Sequence, residues 1–246
     1  KTSDKIISDL KKDDYIVVAN KETKRSKKPF PPYTTSLLQQ DANRRLGFKS
    51  SRTMQVAQRL YEGKKVGAGS EVGLITYMRT DSYRLSEEAI SEAGKFINTK
   101  FGKEYYSGPK HYHNKKKGTQ DAHEAIRPTD VNRTPESIRE YLSADEYKLY
   151  SLIWNRFVSS QMESAKILKK TIDLENGIYL FKTEAEAIIF DGYMRVNGIE
   201  SGFKEVDFDK FKIGSKVNPN KIIPEQNFTK PPARFTEASL IKTLED

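Results

Sequence analysis

The sequence contains no cysteine, which excludes disulfide bonds, thiolate zinc sites and a cysteine nucleophile. It has no apolar run approaching the roughly 20 residues that a membrane-spanning helix needs. The phosphate-binding pattern Gly-x-x-x-x-Gly-Lys-Ser/Thr is also absent, so nucleotide hydrolysis has no support. What remains is a polar chain with a mean hydropathy of -0.74, from which we expect no membrane association.

The charge balance is basic, with 43 lysines and arginines against 34 acidic residues and a net charge of +9. Such an excess favours a polyanionic partner such as nucleic acid, although it also serves solubility. The 246 residues, 36% of them hydrophobic, suffice for one large domain or two smaller ones. Because no initiator methionine opens the chain, we expect a piece of a longer polypeptide.

The organisation changes twice along the chain. A short strand near 14–19 and a lysine-rich run at 21–28 precede Pro-Phe-Pro-Pro, which marks a boundary near residue 29. Helical periodicity then continues to about residue 163, with helix starts at Ser86 and at the capping box that Ser143 opens. After residue 164 the period becomes two, and Asn-Gly at 176–177 predicts a hairpin.

These patterns predict an α+β protein in which a helical domain, 29–163, is inserted in a β-rich domain formed by 1–28 and 164–230. The helices predicted at 35–46 and from 51 are joined by a short turn and resemble a helix-turn-helix. One hypothesis is therefore a non-catalytic DNA-binding module that places this pair in the major groove. Such a pair also occurs as plain helix packing.

The stretch Gly-Leu-Ile-Thr-Tyr-Met-Arg-Thr-Asp-Ser, residues 73–82, gathers groups suited to phosphate chemistry. A phenol has an ordinary pKa near 10, so a tyrosine nucleophile needs positive charge or a base nearby. In an extended segment the side chains at i and i+2 share a face, which puts Arg79 beside Tyr77 and Asp81 beyond it. Arg79 would hold a phosphate, and Asp81 would orient Arg79.

Three hydroxyls in the same stretch are candidate hydrogen-bond donors to phosphate: Thr76, Thr80 and Ser82. The alternative is that Tyr77 is a half-buried strand tyrosine next to a surface ion pair of Arg79 and Asp81. Local chemistry alone leaves both interpretations open.

A second polar cluster occupies residues 121–129. His123, Glu124 and Arg127 are predicted to share one helical turn that Pro128 ends, and His123 would contact or protonate a phosphate oxygen. A zinc site formed with His111 and His113 is disfavoured, because no fourth ligand is evident.

Two further carboxylates, Asp207 and Asp209, have the spacing of a magnesium pair. We interpret them as a solvated turn, because no phosphate cradle is evident around them. We therefore predict no metal site in this sequence.

Several stretches together resemble the signature motifs of bacterial type IA DNA topoisomerases. Besides residues 73–82, the motifs are Pro-Pro-Tyr-Thr-Thr-Ser-Leu-Leu-Gln-Gln-Asp-Ala at 31–42, Arg-Thr-Met-Gln-Val-Ala-Gln-Arg-Leu-Tyr-Glu at 52–62, Ala-His-Glu-Ala-Ile-Arg-Pro-Thr at 122–129 and Phe-Thr-Lys-Pro-Pro-Ala-Arg-Phe-Thr-Glu-Ala-Ser-Leu at 228–240. They occur in the family's order and cover nearly the whole chain.

The resemblance implies that Tyr77 forms a transient 5′-phosphotyrosyl bond, cutting and resealing one DNA strand without ATP and relaxing negative supercoils. Arg79 matches the family's catalytic arginine, Asp81 the acidic residue of the same signature, and His123 a histidine that is placed to bind the scissile phosphate. Arg127 and Arg234, which lie in the last two motifs, are expected to contact DNA. The family fold is a torus, in which a helix-turn-helix-like domain carrying the tyrosine hangs from a β-rich arch.

The resemblance also implies parts that this sequence does not contain. The family's Toprim domain, which holds magnesium, is missing, so this chain is expected to bind no cofactor itself and to be inactive or nearly so alone. Residues 231–246 would begin a truncated base domain. Expected partners are single-stranded or negatively supercoiled DNA and the remaining domains of the polypeptide, in the bacterial cytoplasm at the nucleoid. The chain is expected to be monomeric.

Overall fold

The structure, a computed structural model, describes residues 2–10, 15–67, 69–113, 123–198 and 211–245. Its helices are α1 (Thr2–Asp9), α2 (Thr35–Leu46), α3 (Ser50–Glu62), α4 (Glu87–Lys100), α5 (Ala144–Gln161), α6 (Met194–Asn197) and α7 (Glu237–Glu245). Its strands are β1 (Tyr15–Lys27), β2 (Lys64–Lys65), β3 (Glu71–Val72), β4 (Ala165–Asn176), β5 (Tyr179–Phe190) and β6 (Lys216–Val217).

The chain divides into two compact units, and the fold class is α+β as predicted. One unit comprises Lys1–Lys27, Ala165–Asp191 and Glu200–Pro232. The other comprises Lys28–Ser164, Gly192–Ile199 and Ala233–Asp246. α6 and α7 therefore belong to the unit that contains α2 to α5, whereas the sequence placed residues 192–199 in the β-rich part and 233–246 in a third domain.

The first unit is built on an antiparallel sheet with strand order β5-β4-β1-β6. β1 pairs with β4 over most of its length, so the lysine-rich run at 21–27, interpreted from sequence as the approach to a boundary, is part of a strand. Two of its charges form ion pairs with other strands: Glu22 lies 3.6 Å from Lys170 of β4, and Arg25 reaches across β4 to Glu186 of β5 at 2.6 Å. Such cross-strand pairs stabilise a two-sided polar sheet, whose small core contains Val17 and Ile172.

The predicted hairpin connects β4 and β5, with the turn one residue further along than expected. Asn176 is buried and pairs with Tyr179, so the two turn residues are Gly177 and Ile178. Gly177 has a φ of +60°, which glycine adopts at little cost. β5 ends at Phe190, and α6 follows it.

The second unit packs its helices around α5, and the two predicted helix starts are confirmed. Ser86 caps α4 by accepting a bond from the Ala89 N–H, and Ser143 and Glu146 form the capping box of α5. Gly47 ends α2 in the left-handed region at φ +68°. α3, α4 and α2 each pack on α5. The core comprises buried residues from all of them, including Leu38, Leu60, Ile90, Ile97, Ile153 and Phe157.

Residues 134–138 form turns followed by a single 3-10 turn at Arg139–Tyr141. The helical turn predicted around His123 is wrong. Residues 123–128 are extended rather than helical, because Ile126 pairs with Tyr33 and Pro128 pairs with Ile75. Asp207 and Asp209 lie outside the described residues. No helix in the described part of the chain is long and apolar enough to cross a membrane.

Candidate active site

The segment 73–82 leads from β3 towards α4 and bends at Thr76 and Met78. The Leu74 N–H donates to the Leu60 carbonyl at 2.8 Å, which fixes its start beside the end of α3. From Tyr77 to Ser82, exposed and buried side chains alternate. Met78, Thr80 and Ser82 are buried, whereas Tyr77, Arg79 and Asp81 are exposed. The three groups predicted to act on phosphate thus share the outer side of this segment.

His123 is brought to Tyr77 by a second segment. Thr76, the residue before Tyr77, donates its N–H to the Arg127 carbonyl at 2.9 Å and its hydroxyl to the Ala125 carbonyl at 2.7 Å. The Arg127 N–H donates back to the Thr76 hydroxyl at 3.0 Å. As a result the Tyr77 and His123 rings lie with centroids 6.0 Å apart, although 46 positions separate them in sequence (123 - 77).

A second exposed tyrosine completes the cluster. The rings of Tyr61 and Tyr77 meet edge to face, with centroids 5.4 Å apart. Tyr61 is 40% exposed and Tyr77 41% exposed. The contact joins residues of two different elements, so no local sequence pattern predicts it. Tyr61 lies in the last turn of α3, next to Leu60, whose carbonyl binds the Leu74 N–H; this contact brings the Tyr77 segment close to Tyr61.

Tyr77 and Arg79 remain available for a ligand. Within the described part of the chain, neither the Tyr77 hydroxyl nor the Arg79 guanidinium forms a hydrogen bond with another residue. His123 is exposed beside them. An exposed phenol flanked by a guanidinium and an imidazole can accommodate a phosphate diester, because both nitrogenous groups can donate to its non-bridging oxygens.

The predicted hydroxyl donors have internal partners. Thr80 is 7% exposed and its hydroxyl accepts from the Ser82 N–H at 3.0 Å. Ser82 is 1% exposed and accepts from the Arg84 N–H at 3.1 Å. Together with Thr76, they stabilise the conformation of the segment through hydrogen bonds to backbone groups. Phosphate binding by these three side chains stays a prediction, and for Thr80 and Ser82 it would require the segment to open.

The two predicted DNA-binding arginines differ in their surroundings. The Arg127 side chain forms an ion pair with Glu124 at 2.7 Å and donates to the Pro128 carbonyl at 3.0 Å. It is therefore engaged in holding its own segment. Arg234 lies exposed before α7, and no contact joins it to the Tyr77 segment in the described part of the chain. DNA contact by either residue stays a prediction.

A buried network behind the His123 segment was missed by the sequence. The Tyr33 hydroxyl donates to Asp41 at 2.7 Å, and Arg156 lies 3.3 Å from the same carboxylate. Burial, followed by the charge of Asp41, raises the pKa of Tyr33 above its ordinary range. The Tyr33 carbonyl accepts from the Ile126 N–H at 2.8 Å, so this network anchors the segment that presents His123. Such a contact leaves no local sequence signal.

The described residues do not form a metal centre. No group of three or more histidine, aspartate or glutamate side chains in the described ranges is arranged to hold an ion. His111 is placed near Glu87 at 3.6 Å rather than in a ligand cluster. That this chain binds no metal itself stays a prediction.

Two comparisons bear on this geometry. A family model described as DNA topoisomerase matches residues 1–246. A solved structure, full-length topoisomerase I from Thermotoga maritima, is similar with a TM-score of 0.85 and 39% sequence identity. The match covers 99% of this chain and 39% of that chain, so this chain spans well under half the length of that protein.

Proposed function

The chain belongs to the DNA topoisomerase family, in its bacterial type IA class, and on that premise we propose that Tyr77 is the nucleophile that opens one DNA strand. The observation that carries this proposal is the exposed Tyr77 phenol, with Arg79 on the same side of its segment and the His123 ring 6.0 Å away. The other exposed tyrosine of the cluster, Tyr61, has no arginine two residues along the chain.

The proposed step is a transesterification. The Tyr77 phenolic oxygen forms a bond to the phosphorus of a DNA phosphodiester while the bond from phosphorus to the 3′ oxygen breaks. The phenolic proton is lost and the departing 3′ oxygen gains one, so no net proton is consumed. One strand then ends in a 5′-phosphotyrosyl ester and a free 3′-hydroxyl. The reverse attack reseals the strand without ATP, because the ester conserves the bond energy.

Arg79 and His123 are proposed to stabilise the charge that grows on the equatorial phosphate oxygens. A guanidinium binds two such oxygens in a fixed geometry, and its effect is strongest where it is preorganised. His123, whose ring lies beside that of Tyr77, would donate a second hydrogen bond to the phosphate. Asp81, the third outward side chain, is proposed to orient Arg79.

The rest of the reaction is proposed to depend on parts of a complete topoisomerase beyond these residues. Magnesium would be held there, and its chemistry when bound would be to neutralise phosphate charge. This chain matches only 39% of the Thermotoga maritima protein, which supports the proposal that other parts of a complete enzyme hold the magnesium. The proposed partner is single-stranded or negatively supercoiled DNA.

The test compares Tyr77 with Tyr61, whose ring is equally exposed and contacts that of Tyr77. Tyr77→Phe and Tyr61→Phe each remove one hydroxyl from an exposed ring of the same cluster. In a complete topoisomerase that carries this chain, we expect Tyr77→Phe to abolish covalent adduct formation on a labelled single-stranded oligonucleotide with magnesium. Tyr61→Phe should retain the adduct. Residual strand cutting by Tyr77→Phe would place the nucleophile elsewhere.

The alternative function, a helix-turn-helix that reads duplex DNA with α3, is disfavoured by the ion pairs of α3. Arg52 lies 2.6 Å from Asp145 and Arg59 lies 3.3 Å from Glu146, both in the first turn of α5. Two basic side chains of the would-be recognition helix are thus bound within the protein. This alternative predicts tighter binding to duplex than to single strands and indifference of cleavage to Tyr77→Phe.

A further inference from the structure

We propose that Thr35, at the start of α2, is the positioning residue that aims Arg79 at the scissile phosphate; this rests on the proposed function of Tyr77. Its hydroxyl donates to the Met78 carbonyl at 2.7 Å and accepts from the Thr80 N–H at 2.8 Å. Its own N–H donates to the Thr80 carbonyl at 2.8 Å. Met78 and Thr80 are the two neighbours of Arg79, so Thr35 binds the backbone on both sides of the arginine.

The helix terminus makes this arrangement possible. Thr34 is the N-cap of α2, and its hydroxyl accepts from the Leu37 N–H. Thr35 is therefore the first helical residue, whose N–H has no partner inside the helix. That N–H is given to the Thr80 carbonyl instead. A short hydroxyl side chain at this position is suited to reach the adjacent peptide groups of the same segment.

The chain just before Thr35 also binds the segment that presents His123. Tyr33 pairs with Ile126, and Thr35, two residues later, binds the backbone at Met78 and Thr80. Residues 33–35 thus support both the segment that carries Tyr77 and the segment that presents His123. Met78 is 1% exposed, so its buried side chain prevents the segment from rotating about the Thr35 contacts. The contacts of Thr35 hold the backbone from which the Arg79 side chain extends.

The test removes the hydroxyl while keeping the shape. Thr35→Val is close to isosteric and leaves two backbone groups without their partner, whereas Thr35→Ser keeps the hydroxyl. In a complete topoisomerase we expect Thr35→Val to slow single-turnover cleavage of a labelled oligonucleotide by about 10- to 100-fold, the scale of a displacement near 1 Å. Thr35→Ser should stay within about threefold of the parent.

Two readouts separate positioning from general destabilisation. Affinity for uncleaved single strands, measured in a Tyr77→Phe background, should change by less than about threefold, since positioning acts on the chemical step. In an Arg79→Lys background, Thr35→Val should have a much smaller effect on cleavage, because the geometry that it disturbs is already lost. Independent, multiplying effects of the two substitutions would overturn the proposal.

A matched control is Thr53→Val in α3, which removes another hydroxyl that donates to a backbone carbonyl, that of Lys49 at 3.1 Å. It should alter the melting temperature without slowing cleavage. If Thr35→Val does not fold, Thr35→Ala is used in the same cycle. Parental cleavage by both Thr35 variants would overturn the role of Thr35 while leaving that of Tyr77 intact, whereas an adduct formed by Tyr77→Phe would overturn the proposed function itself.

Discussion

At the scale of single residues, the exposure of Tyr77 is set by what the opposite side of its backbone buries. Met78, Thr80 and Ser82 are each under 8% exposed, and every inward position forces its neighbour outward. A ring of this size would otherwise be expected to bury much of its apolar surface. The nucleophile is thus presented by the packing of its neighbours, and changes on the buried side are expected to reach the chemistry.

Gly73 is a residue of this kind, and we predict that Gly73→Ala impairs both stability and cleavage. A Cβ atom at Gly73 would lie 2.8 Å from the Tyr61 carbonyl oxygen, a backbone atom that cannot move independently of α3. Relief requires the segment to shift away from the helix, which displaces Tyr77. We expect a loss of about 1–3 kcal/mol in the free energy of unfolding, measured by urea denaturation, and slower adduct formation.

The control for this prediction lies in the preceding loop. A Cβ atom at Gly69 would meet nothing within 4 Å, so Gly69→Ala should leave stability and cleavage near those of the parent. Equal behaviour of the two alanine variants would show that the segment accommodates a side chain at 73 and that its contact with α3 does not position the nucleophile.

At the scale of elements, the first turn of α5 joins three parts of the helical unit. Glu146 accepts from the Ser143 N–H as part of the capping box, and its other oxygen contacts Lys64 of β2 at 2.8 Å and Arg59 of α3 at 3.3 Å. Burial alone would raise the pKa of Glu146, but the hydrogen bonds from Lys64 and Ser143 outweigh it and hold that pKa below its ordinary range. The ionised Glu146 carboxylate therefore connects α5 to β2 and α3, and these contacts depend on pH.

We predict that this link is lost in acid. A depressed folded-state pKa contributes stability that is fully present above the unfolded value, near 4.3, and that disappears as the pH falls through the folded value. Urea denaturation of the parent should therefore show a steeper fall in the free energy of unfolding between about pH 5 and pH 3 than that of Glu146→Gln. The glutamine variant should be less stable at pH 7, because Lys64 and Arg59 lose their carboxylate.

An exposed glutamate of α4 provides the comparison. Glu92→Gln removes a carboxylate that lies on the surface, so its acid profile should follow that of the parent. If Glu146→Gln also followed the parent profile, the ion pairs of Glu146 would contribute no pH-dependent stability.

The same scale shows which elements the sequence could predict. The capping box at Ser143 and the stop at Gly47 are decided by residues within one turn, so a local pattern suffices to find them. The segment 123–128 was wrongly predicted as helical, because its conformation is decided by pairing with Tyr33 and Ile75, some 90 and 50 residues away. Spacing within a segment carries no information about such partners.

At the scale of the whole molecule, the sequence indicated the side chains of the candidate site but not the residues that support them. The outward set of Tyr77, Arg79 and Asp81 follows from alternation alone, and the proximity of His123 was an expectation from resemblance that the geometry accommodates. The supports of that site, Thr35 and Tyr33, and the neighbouring ring of Tyr61 are contacts between distant segments. They became visible only in three dimensions.

The net charge of +9 leads to the prediction for the molecule as a whole. Each phosphate that the chain neutralises releases counterions, and for single strands each contact contributes about -0.7 to the slope of log affinity against log salt. We expect binding of a fluorescent single-stranded oligonucleotide, followed by anisotropy, to weaken steadily between roughly 50 and 200 mM salt. Arg79→Ala should make the slope less steep by about 0.7, the value of one phosphate contact.

An uncharged peptide nucleic acid of the same base sequence separates this effect from base stacking. Stacking on exposed rings such as Tyr61 does not release counterions, so any binding of the uncharged oligomer should be nearly independent of salt. A flat salt profile for the DNA oligonucleotide itself would contradict the prediction. It would mean that the excess of lysine and arginine serves solubility and that recognition depends on the exposed aromatic groups.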